Sequence, residues 1–70
     1  MDKIRVISST ISAVGYDPDS RALEIRFTSG TTYRYSNVPQ HCYTGLINAP
    51  SKGSYFNTFI KDKYLSRKTF

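Results

Sequence analysis

"LEIRFTSGTTYRY", residues 23–35, reads as two short alternating runs around a glycine. In a strand, successive side chains point to opposite faces. Leu23, Ile25 and Phe27 therefore share one face, and Glu24 and Arg26 the other. Tyr33 and Tyr35 likewise share a face, with Arg34 opposite. The loop between the runs decides how the two patterns combine. A two-residue loop, Ser29-Gly30, pairs Arg26 with Tyr33 and sends both tyrosines to the charged face. A three-residue loop, Thr28-Ser29-Gly30, pairs Ile25 with Tyr33 and Leu23 with Tyr35. The three-residue hairpin wants glycine at its third position, where the backbone turns left-handed, and Gly30 stands there. Ser-Gly is a poorer two-residue turn than Asn-Gly or Asp-Gly. A slip of one residue would exchange the faces. The sequence thus predicts Tyr33 and Tyr35 beside the core, and Arg34 outside with Glu24 and Arg26.

Upstream, "DPDS" at residues 17–20 is a turn, with Asp17 able to accept from the backbone ahead of it. A strand is predicted from about Ser9 to Tyr16, after an extended lead-in holding Ile4, Val6 and Ile7. Ile11 and Val14 differ in parity, which a bulge or a two-sided strand accommodates. Downstream, Pro39 fits a first helical turn. Val38, Cys42, Leu46 and Ala49 then recur at helical spacing, with Tyr43 and Ile47 alongside. Gly45 weakens this helix by about 1 kcal/mol relative to alanine, and Pro50 ends it. Ser51 is the N-cap of a second helix through "KGSYFNTFIKDKY". Its stripe is Tyr55, Phe56, Phe59 and Ile60, with Ser54, Asn57, Thr58 and Lys61 facing away. The tail "LSRKTF" reads as basic and frayed. The prediction is an α+β domain: a three-stranded antiparallel meander followed by two helices packed on one sheet face. It is a single domain over 1–70, with its core in about 6–64 and a basic tail at 65–70.

A chain of 70 residues buries only about 60% of its unfolded surface. Large apolar side chains must face inward or be covered by a second copy, so homo-oligomerisation is one stabilising option. The lone cysteine, Cys42, forms no internal disulfide and suits a reducing compartment. It lies on the apolar helix face as a small hydrophobe. His41 and Cys42 alone cannot build a structural zinc site. No segment approaches the roughly 20 apolar residues of a membrane span, and "MDKIRVISS" lacks the apolar run of a signal peptide. A cytoplasmic protein without cofactor is expected. No Ser-His-acid set or carboxylate pair points to catalysis, so an enzyme is not expected.

The net charge is +5 and unevenly distributed. Residues 1–35 hold five basic and four acidic groups, whereas residues 36–70 hold five basic groups and only Asp62. Clustered cations attract polyanions, although charge also keeps small domains soluble.

"SSTISAVGYD", "LEIRF", "GTTYRYSNVP" and "SKGSYFNTFIKDKY", taken in order, resemble the KTSC domain, named for a segment at the C-terminus of some lysyl-tRNA synthetases. The resemblance spans roughly residues 6–64. "SKG" and "YFN" at Tyr55–Asn57 match the family pattern well, whereas Gly45 and His41-Cys42 depart from it. The family also occurs as stand-alone small proteins of bacteria and phages. The resemblance implies a YxY motif, here Tyr33 and Tyr35, and a suggested role in RNA binding. These 70 residues hold no counterpart of the synthetase catalytic domain, so aminoacylation is not expected of them.

Candidate contacts follow. Ser51, Lys52 and Gly53 open a helix, where free N–H groups can hold an anion; the plainer reading is a serine cap with glycine allowing close packing. Lys61, Lys63, Arg67 and Lys68 form a C-terminal basic cluster suited to phosphates, or simply to a helix C-terminus and solvent. Arg26 and Arg34 extend positive charge over the sheet unless Glu24 pairs with them. Tyr33 and Tyr35 would stack on bases only from an open sheet face. A ring edge such as that of Tyr55 could line a groove. The first functional reading is a non-catalytic module binding RNA or another nucleic acid. A second is a small oligomer that sequesters a signalling nucleotide at a subunit interface, through Ser51, Lys52, Arg34 and a tyrosine, or binds a protein partner. A third is a structural interaction domain.

Overall fold

The computed structural model describes residues 3–70. Seven elements follow one another: β1 (Ile4–Arg5), β2 (Ile11–Asp17), β3 (Ala22–Phe27), β4 (Thr32–Tyr35), α1 (Gln40–Asn48), α2 (Lys52–Phe59) and β5 (Ser66–Lys68). The strands form one antiparallel sheet in the order β1-β2-β3-β4-β5. The α+β class and the antiparallel sheet with two helices agree with the sequence prediction. The strand count does not: the sheet has five strands where three were expected.

The hairpin has the predicted register. Leu23 lies opposite Tyr35, Glu24 opposite Arg34, and Ile25 opposite Tyr33. Phe27 N–H donates to the Thr31 carbonyl at 2.8 Å, closing the three-residue loop. Gly30 has φ +96°, open to glycine and strained for other residues. A bulge at Ser12 separates Ile11 from Ala13 on β2. It brings Ile11 and Val14 to the same buried face, both 0% exposed. This strand starts later than predicted because the Ser8 Oγ accepts from the N–H groups of Thr10 and Ile11, holding the preceding chain in a bend. The Asp17 carboxylate accepts from Asp19 N–H and from the Ser20 hydroxyl, forming the turn into β3.

The two added strands lie at the sheet's edges. The predicted lead-in supplies β1, whose Ile4 and Arg5 pair with Val14 and Ala13. The predicted frayed tail supplies β5, which pairs Ser66, Arg67 and Lys68 with Tyr35, Arg34 and Tyr33. Thr32 N–H donates to the Phe70 carbonyl at 2.9 Å, extending this contact to the last residue. The β5 side chains are all exposed. Backbone pairing places them, by covering the edge that β4 would otherwise leave open.

The helices cover one sheet face. Ile11, Val14, Leu23, Ile25 and Tyr35 meet Val38, Cys42, Leu46, Phe56 and Ile60 in a single core. The second helix is shorter than predicted. Ile60 and Lys61 N–H both donate to the Phe56 carbonyl, and Asp62 turns left-handed at φ +63°. The segment "DKY" is therefore a turn leading into β5. Gly45 is a packing residue. A Cβ there would lie 2.7 Å from the Tyr55 Cζ, so only glycine lets the ring rest on α1.

Candidate functional site

The sheet face away from the helices is built by register. One row crosses it as Arg5, Ala13, Arg26 and Thr32. The next runs Gly15, Glu24, Arg34 and Arg67, and Lys3 reaches it from the start of β1. Five cations, Lys3, Arg5, Arg26, Arg34 and Arg67, thus share one uncovered face with Glu24; Asp17 stands at its turn end. Small residues lie between them: Ala13 is 9% and Thr32 6% exposed.

Glu24 holds two of the five cations. Lys3 Nζ lies 2.8 Å from its Oε1, and Arg34 Nη1 donates to its Oε2 at 3.1 Å. The hydrogen bond from Lys3, reinforced by Arg34, holds the Glu24 carboxyl below the usual carboxylate range against the opposing effect of burial. Arg5, Arg26 and Arg67 have no carboxylate partner among the described residues. Two hollows flank the Glu24 centre. One, of about 320 Å³, is lined by Arg5, Arg26, Ser12 and Ala13 among others. The other, of about 440 Å³, is lined by Arg34, Arg67, Ser36, Ser66 and Leu65.

The structure brings Arg26, Arg34 and Arg67 together and separates the remaining predicted contacts. Lys68 lies opposite Tyr33 and so belongs to the other sheet face. Lys61 and Lys63 stand exposed after α2. At the start of α2, Ser51 Oγ accepts from Ser54 N–H and donates to Ser54 Oγ. Lys52 Nζ donates to the Ala49 carbonyl at 3.0 Å, satisfying the end of α1. A Cβ on Gly53 would lie 3.1 Å from Thr10 Oγ1. These three residues therefore cap and pack, beside a 390 Å³ cleft that Lys52 and Ser51 line.

Tyr33 and Tyr35 lie on the helix side. Tyr35 is 6% exposed and meets the Phe56 ring edge-on at 5.8 Å. Burial, then Tyr33 and Asp62, push its phenol up to about 12. Tyr33 is half-buried against Phe27 at 6.1 Å. Tyr55 lies on Gly45 and tilts against Phe59 at 4.7 Å. None of these rings stands on the arginine face. Sequence reasoning missed Lys3 and Arg5 on that face. Their signal is the polar–apolar alternation of Lys3-Ile4-Arg5-Val6, which suits a half-buried strand.

Among the described residues, no group of three or more His, Cys, Asp or Glu is placed to hold a metal, and no helix is long and apolar enough to cross a membrane.

Comparison with known proteins matches residues 7–64 to the KTSC domain. A protein of Stutzerimonas stutzeri is 38% identical over 64 residues, covering 91% of this chain and 90% of its own. A lysine–tRNA ligase of Nostoc punctiforme is 45% identical over 56 residues, which are 80% of this chain but only 10% of the ligase. The crystal structure of a KTSC domain protein from Yersinia pestis superposes with a TM-score of 0.96 at 43% identity, covering 99% of this chain and 97% of that one. A match in sequence across the central strands and both helices, joined to one in structure over nearly every residue, places this chain in the KTSC domain family.

Proposed function

We propose that this chain is a non-catalytic module that binds RNA through the open face of its sheet. The observation that carries the reading is the gathering of Lys3, Arg5, Arg26, Arg34 and Arg67 around one carboxylate on an uncovered surface. Such a face attracts a phosphate backbone, and arginine holds phosphate with paired donors. The similarity to part of a lysine–tRNA ligase supports RNA over other polyanions. The rings of the YxY motif lie on the helix side, Tyr35 buried and Tyr33 half-buried, so base stacking on them is not the mode of contact on the open face. Guanidinium planes provide it instead, and recognition is largely independent of sequence.

The test is fluorescence anisotropy with labelled tRNA and with a single-stranded RNA across a salt series. Affinity should fall steeply with salt. Charge reversal at Arg26 and Arg34 should abolish binding, whereas reversal at Lys61 and Lys63 should leave most of it. Binding that ignores salt, or that depends on Lys61 and Lys63 instead, would defeat the reading.

A further inference from the structure

The two hollows of the open face have a common construction. Each is walled by two arginines, one from a central strand and one from an edge strand: Arg26 of β3 with Arg5 of β1, and Arg34 of β4 with Arg67 of β5. Ser36 also lines the second hollow, and in the first the Ser12 hydroxyl donates to the Arg26 carbonyl. Between Arg5 and Arg26 the only intervening side chain in the row is that of Ala13, so both guanidinium groups can lean over the same trough. Arg34 spends one nitrogen on Glu24 and keeps its other donors for a second partner.

We infer that these hollows are two phosphodiester subsites, each formed by a pair of arginines that shares one phosphate of a bound nucleic-acid strand. The inference deepens the RNA-binding reading above and rests on it. At the spacing of a sheet, the midpoints of the two pairs are about 12 Å apart across the strands and about 7 Å apart along them, or about 14 Å overall. A di- or trinucleotide segment bridges that distance. The strand would pass over Glu24, whose charge Lys3 and Arg34 already balance. Both edge strands lie outside residues 7–64, the part matched by the family model. The second arginine of each pair therefore comes from segments that the matched pattern does not include.

The experiment is a set of double-substitution cycles on the full chain. It uses fluorescence anisotropy with a labelled oligouridylate of about eight nucleotides and with an RNA duplex of equal length. R5A and R67A should each weaken binding about three- to tenfold at low salt and lower the salt slope by about 0.7 for a single strand. Arginines that share a phosphate should be coupled: R5A/R26A should lose clearly less than the product of its single losses, and so should R34A/R67A. R5A/R67A, which divides its changes between the two subsites, should equal the product. Arg5→Lys and Arg67→Lys should keep the salt slope while losing affinity, since lysine retains the charge but not the paired donors. Coupling with either RNA supports the subsites and identifies whether a single strand or a helix supplies the phosphates. Strictly multiplicative losses throughout would overturn the shared phosphate. R5A and R67A binding as the parent does, while R26A and R34A weaken, would overturn the edge contribution but spare the RNA-binding reading. A parent chain that binds no RNA at low salt would overturn both. Circular dichroism of each variant checks that the fold is kept.

Discussion

Glu24 controls how much of the positive charge on the open face is available. Its side chain is 15% exposed and holds Lys3 and Arg34. Glu24→Gln releases both, so RNA affinity should rise about two- to fivefold and the salt slope should steepen, read by anisotropy. The stability change should be at most about 1 kcal/mol, because Lys3 and Arg34 are themselves substantially exposed. Acid has a related effect with a definite sign. Lys3, then Arg34, lower the folded-state titration of Glu24 below its ordinary value of 4.5. Its contribution is complete above that value and is lost as pH falls through the lower folded one. Thermal melts taken downward from about pH 5 should therefore show a larger loss in the parent chain than in E24Q, which keeps only the contribution of groups such as Asp17. Tyr35 acts at the opposite end of the scale. Its phenol is raised from 10.0 to about 12, first by burial and then by Tyr33 and Asp62. The neutral form belongs to the folded state, so its stabilisation holds below 10 and fades as pH climbs toward 12. Tyr35→Phe should flatten that alkaline loss in melting curves. An unchanged alkaline slope would place the ring in water.

At the scale of elements, what the sequence made legible was whatever depended on local chemistry or apolar pattern. Gly30 specified the hairpin loop and Ser51 the helix cap, whereas the parity of Ile11 and Val14 left a bulge and a two-sided strand open, and the structure has the bulge. The edge strands were not legible in the same way. Ser66, Arg67 and Lys68 hold no apolar residue, and their place in the sheet comes from backbone pairing to β4. This also hid part of the candidate site: Arg26 and Arg34 could be read from the hairpin, whereas Arg67 was assigned to a tail and Lys3 and Arg5 were missed. The end of α2 was illegible because Lys61, Asp62 and Lys63 suit an exposed helix face as well as a turn. Gly45 was legible only as a weakness. Propensity alone says that Gly45→Ala should stabilise α1 by about 1 kcal/mol. The Tyr55 ring occupies the space a methyl group needs, so the substitution should instead destabilise by about 1–3 kcal/mol in denaturant unfolding. In a Tyr55→Leu background the same change should cost less. A stabilised G45A would mean that the two helices are farther apart than described here. Removing residues 66–70 makes a complementary test of β5. It should lower the melting midpoint by at least about 5 °C and promote association, because the hydrogen-bonding edge of β4 is then exposed.

The whole molecule divides its two sheet faces between stability and contact. Helices and apolar residues occupy one face, and a cluster of cations around Glu24 occupies the other. A small domain gains much from any ligand that binds only the folded state, because its own stability is marginal. At a free ligand concentration of about 100 times Kd, the gain is about 2.7 kcal/mol. For a domain of this size that corresponds to a rise of roughly 10–20 °C in the melting midpoint. The unfolded chain keeps the same net charge of +5 and also attracts RNA, so the observed rise should be smaller than this limit. The organised face should nevertheless bind more tightly than the unfolded chain. The folded sheet holds five cations on one surface, whereas unfolding disperses them along the sequence from Lys3 to Arg67. Adding RNA at low salt should therefore raise the midpoint, and added salt should remove the rise together with the binding. R26A/R34A should abolish it, whereas K61A/K63A, with the same total charge, should retain most of it. A rise that follows total charge alone, equal in both double variants, would show that the arrangement of cations on the sheet adds nothing to RNA binding.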